Sequence, residues 1–242
     1  MPTMLATFRD QIARAVKALN FASSATDVHT LPVRIQSVSQ HDMANRYSSL
    51  KHACQLLLGE FDELDFLMDL YLEEVPLSRR TALTDAENFL EWLTLRVDLT
   101  DEQRDAVVCQ QSRHSVEFVA VKQRLAHARF QELLSNNQRL ATELGSNRTI
   151  SVHFNPAHIW ATLETRVFLD DEATIPATVL FFAVGDAVEG AVIEADLIPL
   201  LQQLKKGAAR VNQLTGALAH YTRQDLLDIL RELAQLGIIA LA

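Results

Sequence analysis

The 242-residue chain is short of the two residues that punctuate a backbone, with 7 glycines and 6 prolines. So few turn-makers exclude a low-complexity or collagen-like chain and argue for long helices. Cysteine is nearly absent. Cys54 and Cys109 stand far apart and show no CxxC spacing, so no disulfide framework is expected and a reducing cytoplasm is the expected compartment. No apolar run approaches a membrane span, and no basic stretch followed by an apolar one opens the chain, so no membrane partner is expected. Positive charge is outnumbered, with 22 Lys and Arg against 31 Asp and Glu and a net charge of -9. The field of such a chain opposes nucleic-acid phosphates and anionic lipid, so nucleic acid is not an expected partner.

Signatures of catalysis are missing too. The eight histidines are His29, His41, His52, His114, His127, His153, His158 and His220. None forms HxxxH or HExxH, and none pairs with Cys at zinc spacing. His153 and His158 flank Asn155-Pro156 and are the pair with a chance of meeting in space. Glu73-Glu74 and Asp170-Asp171-Glu172 are adjacent carboxylates, which diverge instead of converging on one cleft. There is no GxSxG, no phosphate loop and no GxGxxG. Cys54 and Cys109 read as small core hydrophobes. No catalytic residue, metal ligand or cofactor is therefore expected.

What is present is patterned hydrophobicity, at 48% of residues. Leu5, Phe8, Ile12, Val16 and Leu19 make a helical stripe, an N-terminal arm. An extended connector follows to Gln40. Helical patterning then runs from about Asp42, with Asp62 expected to cap one helix and Thr84 with Glu87 to form a capping box. Thr100 with Gln103 opens a long helix carrying Val107, Val108, Phe118, Val121, Leu125 and Phe130 inward. Near Gly145 the pattern changes: Thr149 to Phe154 alternates, Asn155-Pro156 breaks it, and apolar patterning resumes at His158. These shifts predict an arm and connector at 1–41, an antiparallel helical domain at 42–146 and a further domain at 147–242. The expected class is α+β, mainly α.

The last domain is the most legible. Thr178–Val184 and Ala187–Ile193 read as a hairpin around Gly185-Asp186, where glycine accepts a positive φ. Asp196 is expected to cap a helix with Pro199 in its first turn, Gly207 to end it, and a second helix to run from about Ala209. Thr222 with Asp225 opens a third, stopped at Gly237 before an apolar Ile238–Leu241 strand. A hairpin followed by three short helices predicts a winged-helix-like, partner-binding module.

Two stretches carry a resemblance. Leu201–Gly207 reads L-Q-Q-L-K-K-G and Leu233–Ile239 reads L-A-Q-L-G-I-I. Both are similar to the peptide-recognition element of ribosomal peptide pathways, as in the peptide chaperone of pyrroloquinoline quinone synthesis. Upstream, Arg46-Tyr47, Leu58-Gly59-Glu60-Phe61, Leu67–Tyr71, Val75-Pro76, Phe89–Leu93 and Asn155-Pro156 resemble accessory subunits of multinuclear non-heme iron-dependent oxidases that modify peptide cysteines. The layout is most similar to the partner subunit of the thiaglutamate pathway enzyme. The resemblance covers residues 42 to 242 and has no counterpart for Met1–Gln40.

That resemblance implies two partners, a precursor peptide and an iron-dependent oxidase subunit that holds the metal. The peptide would add as a strand beside Ala187, Glu189, Ala191 and Ile193 and pack on Arg223, Leu227, Leu230 and Arg231 of the last helix. The alternative is that Thr149–Phe154 or the helical domain covers that edge. Trp92 and Trp160 read as core, with interface anchoring the alternative; Leu5, Phe8, Ile12 and Trp160 are the candidate oxidase-binding residues. A winged-helix DNA-binding regulator is the competing function. Its would-be reading helix sets Arg223 and Arg231 against Asp225, Asp228 and Glu232, the wrong balance for a groove.

Overall fold

The computed structural model describes residues 40–76, 82–147, 149–170, 172–214 and 221–242; Leu5, Phe8 and Ile12 lie outside the described residues. Among the described residues the chain is α+β and mainly helical. In chain order it forms α1 (Gln40–Ala53), α2 (Leu64–Glu74), α3 (Ala82–Arg96), α4 (Asp101–Lys122), α5 (Arg124–Leu134) and α6 (Asn137–Glu143). Then come β1 (Ser151–Phe154), β2 (His158–Leu163), β3 (Ala177–Val184) and β4 (Ala187–Val192). The chain closes with α7 (Ile198–Lys205), β5 (Ala209–Arg210), α8 (Val211–Leu214), α9 (Arg223–Gln235) and β6 (Ile239–Leu241). No helix among the described residues is long and apolar enough to cross a membrane.

Two expected capping boxes are present. Thr100 accepts from the Gln103 N–H while the Gln103 side chain accepts from the Thr100 N–H, and Thr222 with Asp225 does the same. Each satisfies two end donors of its helix. Three other expected caps fail. α3 starts at Ala82, which puts Thr84 inside the helix. α2 and α7 take Glu63 and Leu197 at their caps, with no side-chain bond. Packing of the apolar face, not the cap, holds those helices in place.

α1 to α3 and the start of α4 close one core around Leu50, Met68, Tyr71, Phe89, Leu93 and Val107. Trp92 belongs to it, stacked on Phe89 with its Nε1 donating to Glu74 Oε2 at 2.9 Å. Beneath lies a buried polar cluster. The Arg46 guanidinium forks onto both Asp85 carboxylate oxygens, at 2.7 and 2.8 Å, and its third nitrogen donates to Val75 O. Tyr71 donates its hydroxyl to Asp85 Oδ1 at 2.7 Å, and burial, helped by Asp85, holds the Tyr71 phenol up at about 12.

The strands form two antiparallel sheets, ordered β5-β1-β6 and β2-β3-β4. The run Val179-Leu180-Phe181-Phe182-Ala183 on β3 is apolar at every position because both its faces are covered. Val179, Phe181 and Ala183 pack against Cys109 and Val116 of α4. Leu180 and Phe182 join Ala191, Ile193 and the leucines of α7 and α9. The expected hairpin is therefore there, with Gly185 at φ +60, but it lies in a different sheet from the strands that close on α7 and α9. Leu140 and Leu144 of α6 also enter that last core, so packing runs across the helix-to-strand change at 144–151.

Two buried asparagines act as staples, Asn155 between the sheets and Asn137 between α6, α9 and β6. Asn155 donates to Ala183 O at 2.8 Å and Gly237 O at 3.1 Å and accepts from the Ala157 N–H at 3.0 Å. Asn137 donates to Ala234 O and Ile239 O and accepts from the Leu241 N–H, which occupies the outer edge of β6. Asp105 of α4 accepts from Thr165 N and Oγ1 and from Glu164 N, capping the turn that follows β2.

One expected element is corrected. The long helix breaks at Gln123, whose N–H turns back to Val119 O and Val121 O. The chain then bends into α5, whose Gln131 grips the β3–β4 turn by accepting from Gly185 N at 3.1 Å. As a result Phe118, Val121 and Leu125, expected inward, are 55%, 74% and 73% exposed. Phe130 stays buried.

Candidate functional site: an unpaired strand edge

Within the sheet β2-β3-β4, β4 is an edge. The strand expected as one possible cover, Thr149–Phe154, is committed elsewhere as β1. The hydrogen-bond phase of β4 follows from one contact: the Ile193 N–H donates to Thr178 O at 2.8 Å. Antiparallel ladders alternate, so Ala187, Glu189, Ala191 and Ile193 turn their main-chain groups toward β3. Val188, Gly190 and Val192 turn theirs outward. Among the described residues no strand pairs with that outer side, although Gly190 is buried and Val188 is 7% exposed, so Val192 is the most accessible of the three. The four strand residues expected as peptide contacts thus turn their main-chain groups to β3, and the outward groups belong to the three residues between them.

Side chains alternate as well. Ala191 and Ile193 are 2% and 4% exposed, and Leu227 and Leu230 are equally enclosed; these four build the core instead of lining a surface. A charge at Ile193 would unfold this region. Ala187 and Glu189 are half-buried at the edge, and Arg223 is exposed. Arg231 is half-buried and turned to α6, where its Nε donates to Ala141 O at 3.1 Å and a second nitrogen pairs with Asp228. Trp160 lies half-buried on β2, packed on the last core. Glu189 was legible as the one charge among inward-facing positions of an otherwise apolar strand.

A cavity of about 590 Å³ lies between α5, α6, α9 and the hairpin tip, lined by Leu134, Ala141, Val184 and Arg231 among others. Gly237 borders it at φ +77, and a Cβ there would stand 2.8 Å from Val184 Cγ2. Glycine is required at that crossing on both counts.

The nucleophile and metal candidates sit apart from the edge. Burial, aided by Asp85, pushes the Cys54 thiol up to about 12, and burial raises Cys109 further; both stay protonated at neutral pH. Among the described residues no three His, Cys, Asp or Glu side chains gather as a metal site. His153 and His158 do not pair. His153 Nε2 meets Ser151 Oγ, while His158 Nδ1 lies 2.7 Å from Asn155 O. Burial lowers the pKa of both, and of His114, whose Nε2 lies 2.9 Å from Ala53 O.

No family model matches the chain, and no curated protein or solved structure does either.

Proposed function

We propose that this chain is a non-catalytic accessory subunit that binds a ribosomally made precursor peptide by strand addition to β4 and offers the peptide's cysteine to a partner iron-dependent oxidase in a thiaglutamate-type pathway. The observation that carries the reading is the outward row of main-chain groups at Val188, Gly190 and Val192, unpaired among the described residues. A peptide gains affinity from such a row and specificity from the alternate side chains beside it. The resemblance across residues 42–242 supplies the nature of the two partners.

The C-terminal half supports a winged-helix-like peptide-recognition module of unusual connection. α7, α8 and α9 sit with strands ordered β5-β1-β6. The middle strand comes from upstream, and Ser151 and Ala242 exchange main-chain bonds at 2.8 and 3.0 Å. β1 and β6 are not consecutive, so no hairpin wing joins them. The stripe Phe118, Val121 and Leu125 on α4 and the start of α5 offers apolar surface for a protein partner. Trp160 and the arm residues Leu5, Phe8 and Ile12 remain proposed oxidase contacts.

Support for DNA binding is weaker. Among the described residues no hairpin wing stands beside α9, Arg231 is spent on Ala141 O and Asp228, and α6 lies along its flank. A groove-reading helix needs free cations and an uncovered face.

Co-expression with the products of the flanking genes tests the function. An iron-dependent oxidase and a short cysteine-containing peptide should co-elute with the chain, and duplex DNA should bind no tighter than about 1 µM at physiological salt. Separate elution of the oxidase, together with tight, salt-sensitive DNA binding, would replace this reading with the regulator.

A further inference from the structure

This inference rests on strand addition at β4 and specifies the ligand. Glu189 is the one charged residue of β4. It stands directly across from Phe182 and shares a face with Ala187 and Ala191. Its Oε2 atom is enclosed and has no hydrogen-bond partner among the described residues. Burial raises its carboxyl, and no charged neighbour offsets that. An enclosed carboxylate oxygen without a partner is costly, and a cation with hydrogen bonds to give relieves it.

The edge supplies the missing partner's position. An antiparallel strand bonded to Val188, Gly190 and Val192 sets one of its residues opposite Glu189 in a non-hydrogen-bonded pair, with Cα atoms about 4.5 Å apart. The side chain of that residue falls on the Glu189 face, within reach of its carboxylate. Of the residues two before and two after it, the one opposite half-buried Ala187 has room for a larger side chain, while Ala191 belongs to the core.

We propose that Glu189 selects an extended peptide with Lys or Arg at this one register position, flanked at alternate positions by apolar residues. A neutral residue there leaves Oε2 unpaired, and an acidic one adds repulsion. The net charge of -9 on the chain steers the same cationic ligand toward it.

Random dodecapeptides displayed on phage are panned against the full-length protein, its Glu189→Lys and Glu189→Gln variants and a Val192→Pro variant, each checked for native circular dichroism. Proline at Val192 removes an outward N–H and no bond to β3. Wild type should enrich Lys or Arg at a single position between β-branched residues. Glu189→Lys should enrich Asp or Glu there, and the best basic peptide should bind Glu189→Gln about tenfold or more weakly. Val192→Pro should bind none of them. Peptides that need Val192 unsubstituted but show no charge preference overturn the Glu189 selection and leave strand addition standing. No enrichment, or binding indifferent to Val192→Pro, overturns strand addition and the selection with it.

Discussion

Replacing Asp85 with Ala should cost about 3–5 kcal/mol of folding stability and lower the urea midpoint by about 1–2 M. The carboxylate accepts both arms of the Arg46 fork and the Tyr71 hydroxyl. Both ion-pair side chains are under a tenth exposed. Removing Asp85 leaves a guanidinium in the helical core with Val75 O as its remaining hydrogen-bond acceptor among the described residues, beside the Tyr71 ring. The cost comes from that stranded cation more than from the attraction lost. The double variant Arg46→Met with Asp85→Leu should therefore recover part of the loss, since an apolar pair leaves no charge behind. Recovery should be incomplete because Tyr71 and Val75 O still lose partners. An Asp85→Ala loss under about 1 kcal/mol, the worth of an exposed pair, would contradict this description of the core.

Asn155→Ala should be comparably damaging, at about 3–5 kcal/mol. One side chain serves three buried main-chain groups: Ala183 O in β3, Gly237 O beyond α9, and the Ala157 N–H. No methyl group can replace it: Ala183 O keeps only the longer bond from Gln131 Nε2 at 3.4 Å, and the groups left without a partner keep their desolvation cost. The informative comparison is Asn155→Asp. Shape is conserved, but the donor becomes an acceptor facing two carbonyl oxygens, so this variant should lose at least as much as Ala at neutral pH. Chemical denaturation of both variants decides it; a well-tolerated Asp would mean that the amide does not bridge the two sheets.

The sequence carried the local features and missed those that depend on distant partners. The Gly185-Asp186 turn, the continuous apolar run of β3 and the boxes at Thr100 and Thr222 announce themselves within a few residues. Asp105, Asn137 and Asn155 do not, because their partners lie up to 104 residues away and polar side chains in a helix or loop look like surface. Asn155-Pro156 reads as a break, and the packing makes it a staple. Phe118, Val121 and Leu125 show the opposite limit. Periodicity tells which residues share a helix face, and the bend at Gln123 decides whether anything covers it. For the edge itself, the strand was readable, and the hydrogen-bond phase was not. The Ile193–Thr178 bond moves the outward groups from the residues first expected to Val188, Gly190 and Val192.

That phase also gives the most direct test. Amide hydrogen exchange at single-residue resolution, with and without a Lys-containing peptide enriched on the wild-type protein, reads β4 one N–H at a time. Strand addition predicts that Val188, Gly190 and Val192 gain protection with peptide, while Glu189, Ala191 and Ile193, bonded to β3, are protected throughout. Peptide-induced protection that spares Val188, Gly190 and Val192 would contradict the account.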